Sequence, residues 1–159
     1  CELFFGSDSG ANSIPLLFQK KSAVVNIAEI ITQHTVRYWY PMLMLPKKIR
    51  DKTTNEIISL WDYQKHKLVR TPPFYNYPID NFKIENNTED EILEFAKENI
   101  FFLKNGYFNF TTEDKELKKS YLDVIEKVCP KLNGFSIQKN RLFISPYFLK
   151  KNINLIKLK

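Results

Sequence analysis

The chain has 159 residues, of which 43% are hydrophobic and 14% aromatic, and its formal net charge is +6. This composition is typical of one folded domain and excludes an intrinsically disordered chain. No apolar run is long enough to span a bilayer, and two cysteines, Cys1 and Cys129, are too few for a disulfide framework. We therefore expect a cytoplasmic protein with reduced thiols, or one bound peripherally at the inner membrane face.

The positive charge comes mostly from lysine, since arginine occurs only at positions 37, 50, 70 and 141. Arginine dominates base readout and bidentate phosphate contacts, so this charge does not favour a nucleic-acid partner. We therefore keep a basic nucleic-acid binder only as a weak alternative to the functions considered below. We expect a solvated lysine surface, part of which can steer an anionic ligand.

The chain opens on a strand–loop–helix–strand pattern. Residues 3–5 are apolar and end at a glycine, a polar loop follows, residues 14–18 can form a helix, and residues 23–27 are a second apolar run. Near-continuous apolar runs are typical of buried strands in a parallel sheet. A right-handed crossover then places the loop at the carboxyl edge of the sheet, where open α/β sheets bind ligands.

The first loop has the residue types of an anion-binding turn. Glycines allow tight turns and close approach of a ligand, and serine or aspartate can cap a helix. Free N–H groups at the first helical turn, together with the helix dipole, favour a phosphate. The alternative is that Ser9 or Ser13 only caps the helix, with Pro15 in its first turn. The candidate ligand-binding residues of this loop are Gly6, Ser7, Asp8, Ser9, Gly10 and Ala11.

Residues 35–46 are aromatic and interrupted by two prolines. This pattern predicts a long loop over the carboxyl edge, ending in a short strand over residues 42–45. Arg37, Tyr38 and Trp39 could flank a base or sugar ring, or could simply pack the loop. The basic residues that follow are Lys47, Lys48 and Arg50. Such a cluster is typically solvent-exposed, unless a ligand recruits Lys47.

The second half of the chain is predicted to be largely helical. Residues 53–63 predict a turn and a helix that starts near Ser59. Thr88 and Glu91 form a capping-box pattern before a helix that Gly106 ends. A further helix is predicted from Thr112, as its cap, to residue 128. Residues 141–144 are predicted to be extended, and residues 146–153 to form a final helix.

Several segments, in order, resemble the donor-side half of a bacterial surface-carbohydrate glycosyltransferase of GT-B fold. Residues 4–10 are similar to its Gly-Ser/Thr-x-Ser-Gly loop after a strand, although Asp8 departs from the usual Ser or Thr. Residues 14–18 and 24–26 are similar to its Pro-x-x-Phe helix and to a strand ending in Asn. Three later segments are also similar to the family. Residues 45–49 correspond to its Leu-Pro-Lys segment, residues 87–93 to Asn-Thr/Ser-x-Glu-Glu-Ile, and residues 143–152 to Ile-x-x-x-Phe-Leu-x-x-Asn.

The resemblance implies an α/β fold: a partial Rossmann-like parallel sheet with flanking helices, and a helical C-terminal tail. Residues 1–110 would form a partial nucleotide-sugar-binding domain, and residues 111–159 its helical extension. The chain would be a fragment that lacks the acceptor domain and the first strands of the donor domain. Residues 3–5 and 24–27 would then have lost sheet neighbours.

The resemblance also implies a function, glycosyl transfer from a nucleotide-diphosphate sugar to a carbohydrate or lipid-linked acceptor. The first loop would hold the diphosphate, Asn26 would line the same cleft, and Lys47 would offset charge on the leaving nucleotide. The missing N-terminal domain would be a partner and would carry the catalytic base. No metal or other cofactor is expected, and His34 and His66 lie in unrelated segments. The alternative is a non-catalytic module that binds a phosphosugar or a partner protein.

Overall fold

A computed structural model describes residues 2–7, 13–18, 20–27, 42–66, 68, 80–128 and 142–157. The fold is α/β, as predicted. Two single turns of 3₁₀ helix, Leu60–Asp62 and Ile153–Leu155, accompany the longer elements. In chain order these elements are β1 (Leu3–Ser7), α1 (Ser13–Leu17), β2 (Lys21–Ile27), β3 (Met42–Pro46), β4 (Lys48–Asp51), β5 (Phe82–Glu85), α2 (Glu89–Asn105), α3 (Thr112–Val128), β6 (Leu142–Ile144) and α4 (Pro146–Lys151).

Four of the strands form one parallel sheet in the order β1-β2-β3-β6. The predicted strand–helix–strand opening is confirmed by β1, α1 and β2, and the predicted short strand before Pro46 is confirmed by β3. The sheet is compatible with a partial Rossmann-like fold. Because β6 joins it, the C-terminal part of the chain contributes a strand to the sheet as well as helices. The division at residue 110 stays a prediction.

The strand β2 lies inside the sheet, and both of its faces are covered. Ala23, Val24 and Ile27 are fully buried, and Ser22 and Val25 are nearly so. The expectation that residues 24–27 lack sheet neighbours is therefore wrong, because β1 and β3 pair with both edges of β2. Among the described strands β1 pairs on one side only, and its Phe5 is 39% exposed.

A second, two-stranded sheet was not predicted. β4 pairs with β5 in antiparallel register, Lys48 opposite Glu85 and Asp51 opposite Phe82. The guanidinium of Arg50 donates two hydrogen bonds to the Glu85 carboxylate, of 2.9 and 3.0 Å. This fork-to-fork pair connects the two short strands across the sheet.

The helix α2 is the element that the sequence predicted most closely. Thr88 is its N-cap, and a capping box links Thr88 and Glu91 in both directions. Gly106 ends it in the left-handed conformation, with φ of 78°. Glycine adopts this conformation without the steric cost that a β-carbon imposes.

Two helix starts differ from the prediction. The cap of α3 is Thr111 rather than Thr112, because Asp114, three residues on, completes a box with Thr111. The helix expected near Ser59 is one 3₁₀ turn. By contrast, α4 begins at Pro146 behind the Ser145 cap and is followed by the 3₁₀ turn Ile153–Leu155, close to the predicted bounds. No described helix has the length and apolar character that a membrane span requires.

Candidate functional site

The ends of β1, β2 and β3 meet at the carboxyl edge of the parallel sheet. Ser7 pairs with Val25, one residue before Asn26, and Ile27 pairs with Pro46. The backbone N–H of Lys47 donates to the Ile27 carbonyl at 2.8 Å. Neighbouring strands lie about 4.8 Å apart. The described candidate residues at these strand ends therefore lie on three adjacent strands at one edge.

A β-bulge interrupts β2 just before this edge. Between Val24 and Ile27 the strand advances three residues, whereas β3 advances two, from Met44 to Pro46. Asn26 lies in the bulge with φ of 56°. Asparagine is one of the few residues other than glycine that occupy this left-handed region readily. A bulge redirects side chains at the end of a strand.

Asn26 and Asn87 exchange hydrogen bonds between backbone and side chain. The Asn26 N–H donates to Asn87 Oδ1 at 2.8 Å, and the Asn87 N–H donates to Asn26 Oδ1 at 2.7 Å. Asn87 Nδ2 also donates to the Pro46 carbonyl at 2.8 Å. Asn87 directly precedes the cap of α2. The exchange therefore fixes the start of α2 to the ends of β2 and β3.

We expect Asn26→Gly to lower the free energy of unfolding by about 1–3 kcal/mol, because the buried Asn87 N–H loses its acceptor. Asn26→Ala should cost about 1 kcal/mol more, since a β-carbon is strained at positive φ. Asn55 also has positive φ, 59°, but is exposed. Asn55→Gly, the matched control, should change stability by less than about 0.5 kcal/mol in the same denaturant titration. Equal effects of Asn26→Gly and Asn55→Gly would contradict the role assigned to the exchange.

Lys48 and Glu91 form a buried ion pair beside this edge. Lys48 Nζ lies 2.8 and 3.0 Å from the two Glu91 oxygens. Asn152 Nδ2 and the Thr88 N–H each donate to the same carboxylate at 2.8 Å. The side chains of Lys48 and Glu91 are 8% and 0% exposed. Each Glu91 oxygen therefore accepts two hydrogen bonds in a site almost without solvent.

The protonation of Glu91 follows from these contacts. Burial alone would raise its pKa, but the hydrogen bonds from Lys48, Thr88 and Asn152 outweigh burial and hold the pKa below its ordinary value. The carboxylate is thus ionised and neutralises Lys48. Of the two adjacent lysines, Lys47 is the partly exposed one. Lys47 can face a ligand, whereas the charge of Lys48 is already compensated.

Gly6 belongs to β1 rather than to the loop. A β-carbon at this position would lie 2.7 Å from two ring atoms of Phe4, so the ring occupies the space over Gly6. The tight turn expected at Gly6 is therefore not seen, and the absent side chain makes room for an aromatic ring instead. On this face of β1, the Phe4 ring blocks close approach of a ligand to the Gly6 backbone.

Several predicted positions fall outside the described residues. Ser7 ends β1, but the rest of the first loop, including Asp8, Ser9, Gly10 and Ala11, is not described. The same holds for His34 and for the aromatic positions 37–39. Within the described part of the chain, no three His, Cys, Asp or Glu side chains are grouped so that they could hold a metal ion.

Sequence reasoning missed the groups that surround the candidate residues at this edge. The sequence places Asn87 only in the segment that resembles the glycosyltransferase family, and Lys48 in such a segment and in a basic cluster expected to be exposed. Neither position predicts the contacts of Asn87 with Asn26 or of Lys48 with Glu91.

Comparison of the chain with protein-family models, with curated proteins and with solved structures finds no significant match in any of the three. An assignment of function therefore depends on the residues and geometry of this chain.

Proposed function

We propose that the carboxyl edge of the sheet binds the diphosphate of a nucleotide sugar, as the donor-binding part of a GT-B glycosyltransferase of surface-carbohydrate synthesis. One observation carries the proposal: the parallel register brings Ser7, Asn26 and Lys47 to the same edge. Open parallel sheets bind ligands outside the carboxyl ends of their strands. A hydroxyl, an amide and an ammonium group at that edge suit a polar, anionic ligand.

A second observation supports the proposal. The three later segments that resemble the glycosyltransferase family, residues 45–49, 87–93 and 143–152, meet in the fold. They contribute Lys48, Glu91 and Asn152 to one hydrogen-bonded group. Segments that are separate in sequence thus support one edge of the sheet.

Each residue is assigned a role according to the hydrogen-bonding group or charge that it can offer to a ligand. Ser7 and the loop after it, with Ser9 and the Gly10 and Ala11 amides, hold the diphosphate. Asn26 Oδ1 is engaged by Asn87, so Asn26 would contribute its side-chain N–H groups to the cleft. Lys47 supplies positive charge to the departing nucleoside diphosphate. In this proposal the site for the carbohydrate or lipid-linked acceptor, and the catalytic base, would lie on a further domain.

Titration of UDP, GDP, ADP and CMP against the protein tests the binding step. We expect saturable binding of at least one nucleoside diphosphate, and binding weaker by at least about tenfold in Lys47→Met, since a charge-assisted contact contributes about 1.5–3 kcal/mol. Lys97→Met removes the same charge from an exposed position on α2 and is the matched control. Ser9→Ala and Gly10→Val should also weaken binding. Full affinity in Lys47→Met, Ser9→Ala and Gly10→Val would refute the site.

A non-catalytic phosphosugar-binding module is the second candidate, and one observation favours it: the described groups at this edge, Ser7, Asn26 and Lys47, are suited to binding. Glu91 is held in its buried ion pair and takes no part in proton transfer. Sugar transfer by a preparation that includes the proposed acceptor domain would decide for the enzyme, whereas donor binding without transfer would decide for the module.

A further inference from the structure

A cavity of about 290 Å³ lies between α2, α3 and α4. This volume is close to the lower limit of ligand pockets, about 300 Å³, and therefore suits only a small molecule. Its wall combines aromatic rings with three ionisable side chains. The lining residues used below are Glu98 and Phe101 from α2, Phe110 from the following loop, Asp114 from α3, and Tyr147 and Lys150 from α4.

The aromatic part of the wall is held by ring stacking. Phe108 lies between Phe102 and Phe110, with centroid distances of 4.3 and 5.1 Å and nearly parallel planes. Phe101 packs edge-on against Tyr107 at 5.7 Å. Such contacts fix the rings as a wall. Ring faces attract organic cations through the quadrupole of the ring.

The charges of the wall favour a cation. Lys150 Nζ lies 2.8 Å from Asp114 Oδ1 and 3.0 Å from Glu113 Oε2, so its charge is compensated by two carboxylates. Asp114 is only 6% exposed. Burial alone would raise the pKa of Asp114, but its bonds with Lys150 and Thr111 hold the pKa below the ordinary value. The second acid of the wall, Glu98, has no lysine partner in the described part of the chain.

Glu98 has one buried oxygen without a hydrogen bond. Its Oε1 accepts from the Tyr147 N–H at 3.4 Å, and the Ser145 hydroxyl is close enough to lower the pKa of the carboxyl, but Oε2 accepts no hydrogen bond of normal geometry from a described group. Buried polar atoms in native proteins nearly always have a partner. The terminal torsion of a glutamate is soft, so the carboxyl can turn this oxygen toward a ligand in the cavity.

We propose that this cavity binds a small organic ammonium ion, with the ammonium N–H groups on Glu98 and Asp114 and the organic part against the rings of Phe101, Phe110 and Tyr147. The ligand would supply the hydrogen-bond donor that Glu98 lacks. It would also add positive charge to the wall, which has two carboxyl groups and only one lysine, whose charge is already compensated. The proposal does not depend on nucleotide-sugar binding at the sheet edge.

The protonation of Glu98 gives the binding a pH dependence. Burial raises its pKa to about 7, with Asp114 on α3 and Glu94 on α2 adding to the effect, and the contacts with Ser145 and Tyr147 opposing it. The attractions in the ion pair hold the pKa of Lys150 above its ordinary value, so its charge does not change near pH 7. An ammonium ion binds the ionised carboxylate. Its affinity should therefore fall as the pH drops through 7.

Calorimetric titration with benzylammonium chloride tests this proposal, with benzyl alcohol as the uncharged analogue and a methyl glucoside as the sugar probe. We expect saturable binding of benzylammonium at about pH 8, at least tenfold tighter than that of either neutral probe. Binding should weaken between tenfold and a hundredfold at about pH 5. Glu98→Gln should weaken binding at about pH 8 by tenfold or more and remove the pH dependence.

Glu94→Gln is the matched control, because Glu94 lies one turn earlier on α2, pairs with Lys97, and does not line the cavity. It should leave the affinity within about twofold of that of the unmodified protein. Should Glu98→Gln not fold, carbon NMR of the Glu98 carboxyl in the unmodified protein replaces it: benzylammonium should shift its titration to lower pH. Absence of saturable benzylammonium binding, equal binding of a neutral probe, or pH-independent affinity would each overturn the proposal.

Discussion

Replacing Lys48 by methionine is expected to lower the free energy of unfolding by about 3–5 kcal/mol. The substitution keeps the volume of the side chain but leaves the Glu91 carboxylate, 0% exposed, without its positive partner. An uncompensated buried charge is among the most costly defects a fold can contain. Urea unfolding followed by far-UV circular dichroism measures the effect.

Two comparisons identify its cause. Lys97→Met removes an exposed lysine that also pairs with a glutamate, Glu94, and should change stability by less than about 0.5 kcal/mol. The double substitution Lys48→Met and Glu91→Leu should recover part of the loss, because a buried pair is often replaceable by apolar groups. Recovery should be incomplete, since Glu91 also completes the capping box of α2. Equal effects of Lys48→Met and Lys97→Met would show that the buried pair is not important for stability.

The same pair predicts a pH dependence. The folded pKa of Glu91 lies below its ordinary value of 4.5, so the stability that the ionised group contributes is present above pH 4.5. This contribution is lost as the pH falls through the folded pKa. In Lys48→Met the carboxyl loses its cation and its pKa rises. The difference in stability between the two proteins should therefore shrink in acid.

The single substitution Phe95→Ala is expected to lower the free energy of unfolding by about 3–5 kcal/mol. Phe95 is fully buried on α2, and its ring lies 5.5 Å from that of Phe5 on β1. Truncation opens a cavity between the helix and the strand. It also removes the ring contact with Phe5 on β1, the strand that ends at Ser7.

Leu93→Ala is the control for this substitution. Leu93 lies two residues earlier on the same helix but is 54% exposed, so it should change stability by less than about 0.5 kcal/mol. Thermal unfolding of both variants at one pH is the measurement. A loss below about 1 kcal/mol in Phe95→Ala would mean that the neighbouring side chains close the cavity.

The elements that the sequence predicted best are those whose signals are local. The capping box of Thr88 and Glu91, the stop at Gly106 and the apolar runs of β1 and β2 are each encoded within a few residues. The start of α3 was misplaced by one residue, although the signal was available: of two adjacent threonines, Thr111 has an acid three positions later. Local hydrogen-bonding chemistry therefore predicts where helices begin and end.

The features that the sequence did not predict depend on residues far apart in the chain. β4 is a short polar strand, Lys-Ile-Arg-Asp, and its partner β5 begins more than 30 positions later. Lysine is rarely buried, so nothing near Lys48 indicates that its ammonium group lies inside the protein. Its partners Glu91 and Asn152 come together with it only in the folded chain.

The candidate edge was predicted in outline. The apolar runs predicted which strands would end there, and hence that Ser7, Asn26 and Lys47 share an edge. The bulge at Asn26 and its exchange with Asn87 were not predictable, because a register shift depends on the partner strand. The packing of the Phe4 ring over Gly6 was not predicted either, because it depends on the rotamer of Phe4, which lies on the same face of the strand.

The position of β6 has a consequence for how the polypeptide assembles during synthesis. β6 pairs with β3 through Met42 and Leu142, two partners 100 positions apart. Ribosomes release the chain from its N-terminus, so β3 emerges long before the strand that covers it. Until then its outer backbone groups are available to an edge from another molecule. Nascent chains of this protein therefore pass through an interval in which association competes with closure of the sheet.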